Sequence, residues 1–317
     1  MEIGKTLGLK LGKATRVAFG ETLRDLGGED PALVVVDADL NNSTRTDIFA
    51  KAHPGRFFNV GIAESNMVGV AAGLASAGKR PWCASFATFV MSNAYDQLRM
   101  SVAFPRCNVK VVGSHSGISI GEDGPSQMGI EDVALACCLP GFLVVVPCDE
   151  VSTIRATRAL HAHAGPAYLR TGRANAPVIY GEDTPWELGK ATCLRSGTDL
   201  TLVANGLLLG AALEAAAILE QEGVSTRVLD LHTLKPLDTA SLAAAARETG
   251  RIVVIEEHLA HGGLGSTVAM AVAASHPVPM RFVNLGDQFA ESGTPGQLLE
   301  KYGMTYPAIL RAARELL

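Results

Sequence analysis

The run ALVVVDADL, residues 32–40, is an unbroken apolar stretch ending in acids, with none of the apolar–polar alternation of a half-exposed strand. A strand of this kind is covered on both faces, the position of an interior strand in a parallel sheet flanked by helices. PWCASFATF (81–89), CNVKVVGSH (107–115), FLVVVPCD (142–149) and PAYLRTG (166–172) have the same character. Helical stretches separate them: TRVAFGETLRDLGG (15–28), an Ala/Gly-rich segment from Glu64, SNAYDQLRMSVAF (92–104), and EVSTIRATRALHAHAG (150–165), which closes on a glycine. From residue 175 to 189 the pattern breaks into NAPVIYGEDTPWELG, rich in proline and without a sustained period. A second series then alternates DLTLVANG, STRVLDLH, RIVVIEEH and MRFVNLG with three Ala-rich helical stretches, before a helical tail. The expected architecture is α/β: two doubly wound domains with mostly parallel sheets, at 1–178 and 195–317, joined by a linker at 179–194.

Composition narrows the class. Of 317 residues, 48% are hydrophobic and 19% charged, the balance of a globular chain with large buried surfaces rather than a disordered one. A net charge of −5 leaves no electrostatic footprint for nucleic acid or an anionic membrane. The N-terminal residues lack the apolar core of a signal peptide, and the longest apolar runs are too short and glycine-rich to span a bilayer. Six cysteines without CxxC spacing read as buried free thiols, so the expected setting is cytoplasmic. The histidines of HAHAG (161–165) lack the i, i+4 spacing of a metal pair on a helix, and no zinc site is expected there.

Within NVGIAESNMVGVAAGLASAG (59–78), Glu64 is the only acid and has nothing nearby to pair with. A lone carboxylate in apolar surroundings is costly unless another element, or something bound, supplies a partner. A helix N-terminus would favour an acid there by its dipole alone. Three other stretches weigh against that simple account: SFATF (85–89), the glycine- and acid-rich GSHSGISIGEDGPSQMGIED (113–132), and FAESGTPGQLLEKYGMT (289–305). With GIAE (61–64), LHTLKPLD (231–238) and EEHLAHGGLGS (256–266), in this order and spacing, the chain resembles the C-terminal half of transketolase over essentially its whole length.

That resemblance implies a pyrimidine-binding domain, a C-terminal domain and thiamine diphosphate as cofactor. The cofactor's aminopyrimidine becomes basic only when its opposite ring nitrogen is held by an acid, and Glu64 matches the family's glutamate. Phe86 and Phe89 match aromatics that surround the pyrimidine, while a third aromatic of the pattern falls on Ser92, so that wall is either altered or completed by a neighbour such as Tyr95. His115 is implied to line the substrate channel and Asp123 to contact a sugar hydroxyl; Gln127 stands where some members have histidine. Arg16, Ser43 and Arg170 are matched to positions that grip the sugar phosphate, for which the guanidinium fork is suited. Read without the resemblance, Glu122–Pro125 is a surface turn, and HGGLGST (261–267) is a tight turn at a helix start.

The family binds the diphosphate through Mg²⁺ with a Gly-Asp-Gly motif followed by an Asn about thirty residues later, and this chain contains no Gly-Asp-Gly. No metal ligands are therefore expected here. The resemblance implies a separate N-terminal subunit carrying the Mg²⁺ and diphosphate site, self-association into a dimer, and an α2β2 assembly acting on sugar phosphates. The expected reaction is transfer of a two-carbon ketol unit from a ketose phosphate to an aldose phosphate. Alternatives are a 2-oxo acid dehydrogenase β-type subunit, a deoxyxylulose-phosphate synthase-like enzyme, or a non-catalytic scaffold.

Overall fold

Leu33, Val34, Val35 and Val36 are all buried, as a strand covered on both faces requires. The computed structural model describes residues 3–317. Its strands are β1 Leu11–Ala14, β2 Leu33–Asp37, β3 Phe57–Asn59, β4 Arg80–Phe86, β5 Lys110–Ser114, β6 Leu143–Val145, β7 Ala167–Arg170, β8 Asn175–Pro177, β9 Thr192–Arg195, β10 Leu200–Ala204, β11 Thr226–Asp230, β12 Thr233–Lys235, β13 Ile252–Ile255 and β14 Met280–Val283. A seven-stranded sheet has the order β12-β6-β7-β5-β4-β2-β3, and a five-stranded sheet the order β14-β13-β10-β11-β9. Each is parallel apart from one edge strand, β12 against β6 and β9 against β11.

Alternate residues of the first sheet feed different cores. Val36, Val111 and Val144 pack with Met67 and Val68 of the helix Glu64–Ser76. Val35, Val112 and Val145 pack with Phe19 and Leu23 of the helix Thr15–Glu29. The first of these clusters runs on into Leu229, Leu231, Leu242 and Val254, so the two halves share a core. That sharing shows in the chain path. Residues 231–238 were expected within the second domain, yet β12 adds an edge to the first sheet. Lys235 holds it there by donating to the carbonyls of Cys137 and Leu139, which end the helix Asp132–Cys138. At the end of the segment 179–194, β9 already pairs with β11.

The helix Glu64–Ser76 buries one face: Met67, Val68, Ala71 and Ala72 face the core, whereas Asn66, Gly69 and Gly73 are exposed. The reading of the cysteines as buried thiols needs correction. All six cysteines are free, but only Cys83 and Cys148 are buried, and Cys138 and Cys193 are exposed. Among the described residues no helix is long and apolar enough to cross a membrane.

Candidate active site

In a parallel sheet, ligand sites form beyond the carboxyl ends of the strands, where loops and helix N-termini converge. Phe86 ends β4 and His115 follows β5; the segment carrying Ser43 follows β2. Glu64 opens its helix beside the end of β4 and is 5% exposed. Its carboxylate accepts from Ser85 Oγ at 3.2 Å and from Asn93 Nδ2 at 3.5 Å, and among the described residues no basic side chain forms an ion pair with it. An ionised carboxylate offers about four acceptor positions, so two long bonds leave it short of partners. A buried acid with spare capacity suits the ring nitrogen of an aminopyrimidine. Phe86 stacks on Phe89 with centroids 5.5 Å apart and on His115 at 4.0 Å. Phe86 is buried and Phe89 only partly so, which leaves Phe89 the more available ring. Ser92 is exposed, and Tyr95 does not fill the gap: its hydroxyl donates to the carbonyl of Leu135 at 3.1 Å and its ring joins the other core.

His115 is 2% exposed with a left-handed backbone, φ 57°. Asp39 (φ 66°) and Arg45 (φ 69°) share that conformation, so three of the described non-glycine residues with positive φ lie around this site. Such strain concentrates where function over-determines the backbone. Burial, reinforced by Arg16 and Arg173, pushes the His115 pKa down to about 3, and the ring is neutral. Arg16 Nη1 lies 3.4 Å from its Nε2 and has only hydrogens to offer, so Nε2 is the acceptor nitrogen. The proton then sits on Nδ1 and is donated to Ser114 Oγ at 2.8 Å.

Arg16 is the centre of a cationic group. Nη1 donates to the carbonyl of Ser43 at 2.7 Å, while Nε is buried without a partner. Burial lowers its pKa, and repulsion from Arg45 and Arg173 lowers it further; Asp123 opposes them. The segment bearing Ser43 and Arg45 is held by buried Asp37, which accepts from Leu40 N, Thr44 Oγ1 and Thr46 Oγ1. Arg16, Ser119, Glu122, Arg173, Ala174 and Pro295 line a cleft of about 260 Å³. Arg173 pairs with Glu122 at the cleft's edge, at 2.9 Å, whereas Arg16 has no carboxylate in ion-pair contact among the described residues, and guanidinium groups facing a cleft suit an anion.

Arg170 does not belong to that site, contrary to expectation. It is 5% exposed, and its Nε and Nη2 both bond Asp132, at 2.9 and 3.0 Å. Nη2 also donates to the carbonyls of Gly129 and Glu257. Burial alone would depress its pKa, but Asp132 outweighs burial and raises it. Arg170 is a buried cation whose Nε and Nη2 donors are committed inside the fold.

Arg173 takes the place in the cleft that was expected for Arg170. The antiparallel ribbon of β1 and β8 explains why: Ala14 pairs with Asn175, so Arg16, just past one strand, meets Arg173, just before the other. Local sequence offers only the presence of a second arginine in LRTGRANAP, because the ribbon joins residues far apart in the chain. Asp123 is exposed at the rim and Gln127 half-buried. His161 lies near the opposite end of the sheet, bonded to Asp30 and Trp82. Among the described residues no cluster of His, Cys, Asp or Glu has the makings of a metal site.

Comparison with known proteins bears on both halves. The family model "Transketolase, pyrimidine binding domain" matches residues 12–178, and "Transketolase, C-terminal domain" matches 189–309. A putative transketolase C-terminal section from Methanocaldococcus jannaschii is 39% identical over 96% of this chain and 96% of its own length. A 6-deoxy-6-sulfo-D-fructose transketolase subunit from Clostridium sp. is 40% identical over 95% of this chain and 94% of its own. Human transketolase is 38% identical, but this chain spans only 49% of it. Among solved structures, "Split gene transketolase, inactive beta4 tetramer" superposes with a TM-score of 0.90 at 45% identity, covering 96% of this chain and 99% of that one.

Proposed function

The chain belongs to the transketolase family, and from that premise we propose that it is the C-terminal subunit of a two-chain transketolase, moving a two-carbon ketol unit from a ketose phosphate to an aldose phosphate. The observation that carries this reading is the buried, under-partnered carboxylate of Glu64 beside Phe86, Phe89 and His115. Thiamine diphosphate, when bound, supplies the carbon nucleophile for ketol transfer. Glu64 holds a proton against the pyrimidine nitrogen, with Ser85 and Asn93 fixing the carboxyl. Phe86 and Phe89 give the ring an apolar wall. Neutral His115 turns an acceptor nitrogen, Nε2, toward Arg16 and the substrate channel, and Asp123 and Gln127 meet sugar hydroxyls. Arg16, with Ser43, and Arg173 receive the phosphate, a group that a 2-oxo acid dehydrogenase substrate lacks.

Mg²⁺ and the diphosphate belong, on this reading, to a separate N-terminal subunit, in an α2β2 assembly in the cytoplasm. An exposed apolar surface next to Glu64 supports a covering partner: Ile62 is 84% exposed, and Gly69 and Gly73 present open backbone along the adjoining helix. The proposed domain limits are 1–178 and 195–317, with 179–194 between them.

The test is an assay of this chain combined with a subunit bearing the diphosphate domain. Ketol transfer between sugar phosphates supports the proposal. Decarboxylation of a 2-oxo acid without ketol transfer would favour the dehydrogenase reading instead.

A further inference from the structure

We propose that Glu257, from the C-terminal half, is a positioning residue that sets the phosphate-binding cleft by bracing the substrate loop from behind; the inference rests on the transketolase reading above. The loop between β5 and the helix Asp132–Cys138 is pinned at its ends, where Gly117 N donates to Gly129 O at 2.7 Å. Directly after Gly117 comes a one-turn segment, Ile118–Ile120, and a second, Pro125–Gln127, follows. Both polar groups of Ser119 in the first turn go to one carboxylate: N donates to Glu257 Oε1 at 2.5 Å, and Oγ to Oε2 at 3.1 Å. On the other side of that turn, Arg173 Nη1 donates to Ile120 O at 2.6 Å and to Glu122 Oε2 at 2.9 Å. Glu257 therefore reaches the cleft through two consecutive residues of the loop.

The brace is tightly built. Glu257 is 6% exposed, and a Cβ on Gly117 would overlap its carboxyl group, so the loop must present glycine there in a left-handed conformation, φ 77°. The backbone beside Glu257 is tied to the same loop: its carbonyl accepts from Arg170 Nη2, which also holds Gly129 O, and Leu259 N donates to Ile130 O at 3.0 Å. Burial raises the Glu257 pKa, and Arg170 and Ser119 act against that rise. Glu257 lines a neighbouring cavity that shares Ser119 and Ala174 with the cleft, and its bonds reach the cleft through Ser119, Ile120 and Arg173.

Loss of the carboxylate leaves the buried Ser119 amide without an acceptor and frees the turn. In the assembled enzyme, Glu257→Ala should raise KM for a phosphorylated aldose by about tenfold, with little change in kcat or in KM for the unphosphorylated aldose. Glu257→Gln, whose amide oxygen still accepts from Ser119 N and whose NH2 meets a reoriented Ser119 hydroxyl, should restore near wild-type values. Hydrogen exchange at residues 117–121 of the full chain should quicken by about tenfold in the Ala variant and not in the Gln variant. Equal losses with both aldoses, or unchanged exchange in Glu257→Ala, would overturn the brace. Should the wild-type assembly transfer no ketol unit, the functional reading fails, and the exchange result still decides whether Glu257 holds the loop.

Discussion

His115 is a neutral histidine by construction, since burial and two nearby guanidinium groups depress its pKa to about 3 from 6.5. The unfolded chain takes up a proton below 6.5 that the folded chain refuses until about 3. The stability contribution is therefore complete above 6.5 and drains away as pH falls through that window, the loss reaching about 2 kcal/mol at pH 5. His115→Gln should accordingly lose less stability than wild type between pH 7 and pH 5, as read by thermal melts at both values. The arginines separate in a different way. Arg170→Ala leaves Asp132 buried without its partner and should cost about 3–5 kcal/mol in denaturant unfolding. Arg173→Ala, which removes the donor to the Ile120 carbonyl, should cost only about 1 kcal/mol of stability while raising KM for phosphorylated sugars about tenfold or more. Glu64 stood out in the sequence because one acid in an apolar segment is a local anomaly. Arg173 did not, because its pairing with Arg16 exists only once β1 meets β8.

At the scale of elements, packing against the strands is close enough to dictate single atoms. A Cβ on Gly113 of β5 would overlap the hydroxyl of Tyr168 on β7, which donates to Asp132 at 2.6 Å. Gly113→Ala must displace that ring and loosen the Asp132–Arg170 pair, an expected loss of about 1–3 kcal/mol in chemical denaturation. Strand positions such as these were legible wherever a Val-rich run was buried on both faces, as in β2, β5 and β13. Short strands held by distant partners were not: β3 is FFN, mostly exposed, and β8 is NAP, a segment that reads as loop. The edge strand β12 followed the second series in sequence but joined the first sheet, because pairing with β6 and the Lys235 bonds outweigh chain proximity.

At the scale of the whole molecule, Glu64, the proposed catalytic acid, lies beside a surface that one chain leaves open. Ile62, two residues before Glu64, is 84% exposed, and substitution by Asp should weaken assembly with the partner subunit by more than about tenfold, measured by sedimentation or mass photometry, without changing the fold of the isolated chain. The two-domain layout was readable from alternating strand and helix patterns, whereas the continuous core between the halves was not, since it arises from contacts between Val36-side and Leu229-side residues far apart in sequence. The most direct test compares wild type with Glu64→Gln after reconstitution with a diphosphate-domain subunit, thiamine diphosphate and Mg²⁺. The expected result is an intact assembly whose ketol-transfer rate falls by about 10²–10⁴-fold in the variant. Turnover by Glu64→Gln at the wild-type rate would contradict the role given to this carboxylate, and with it the account of the site.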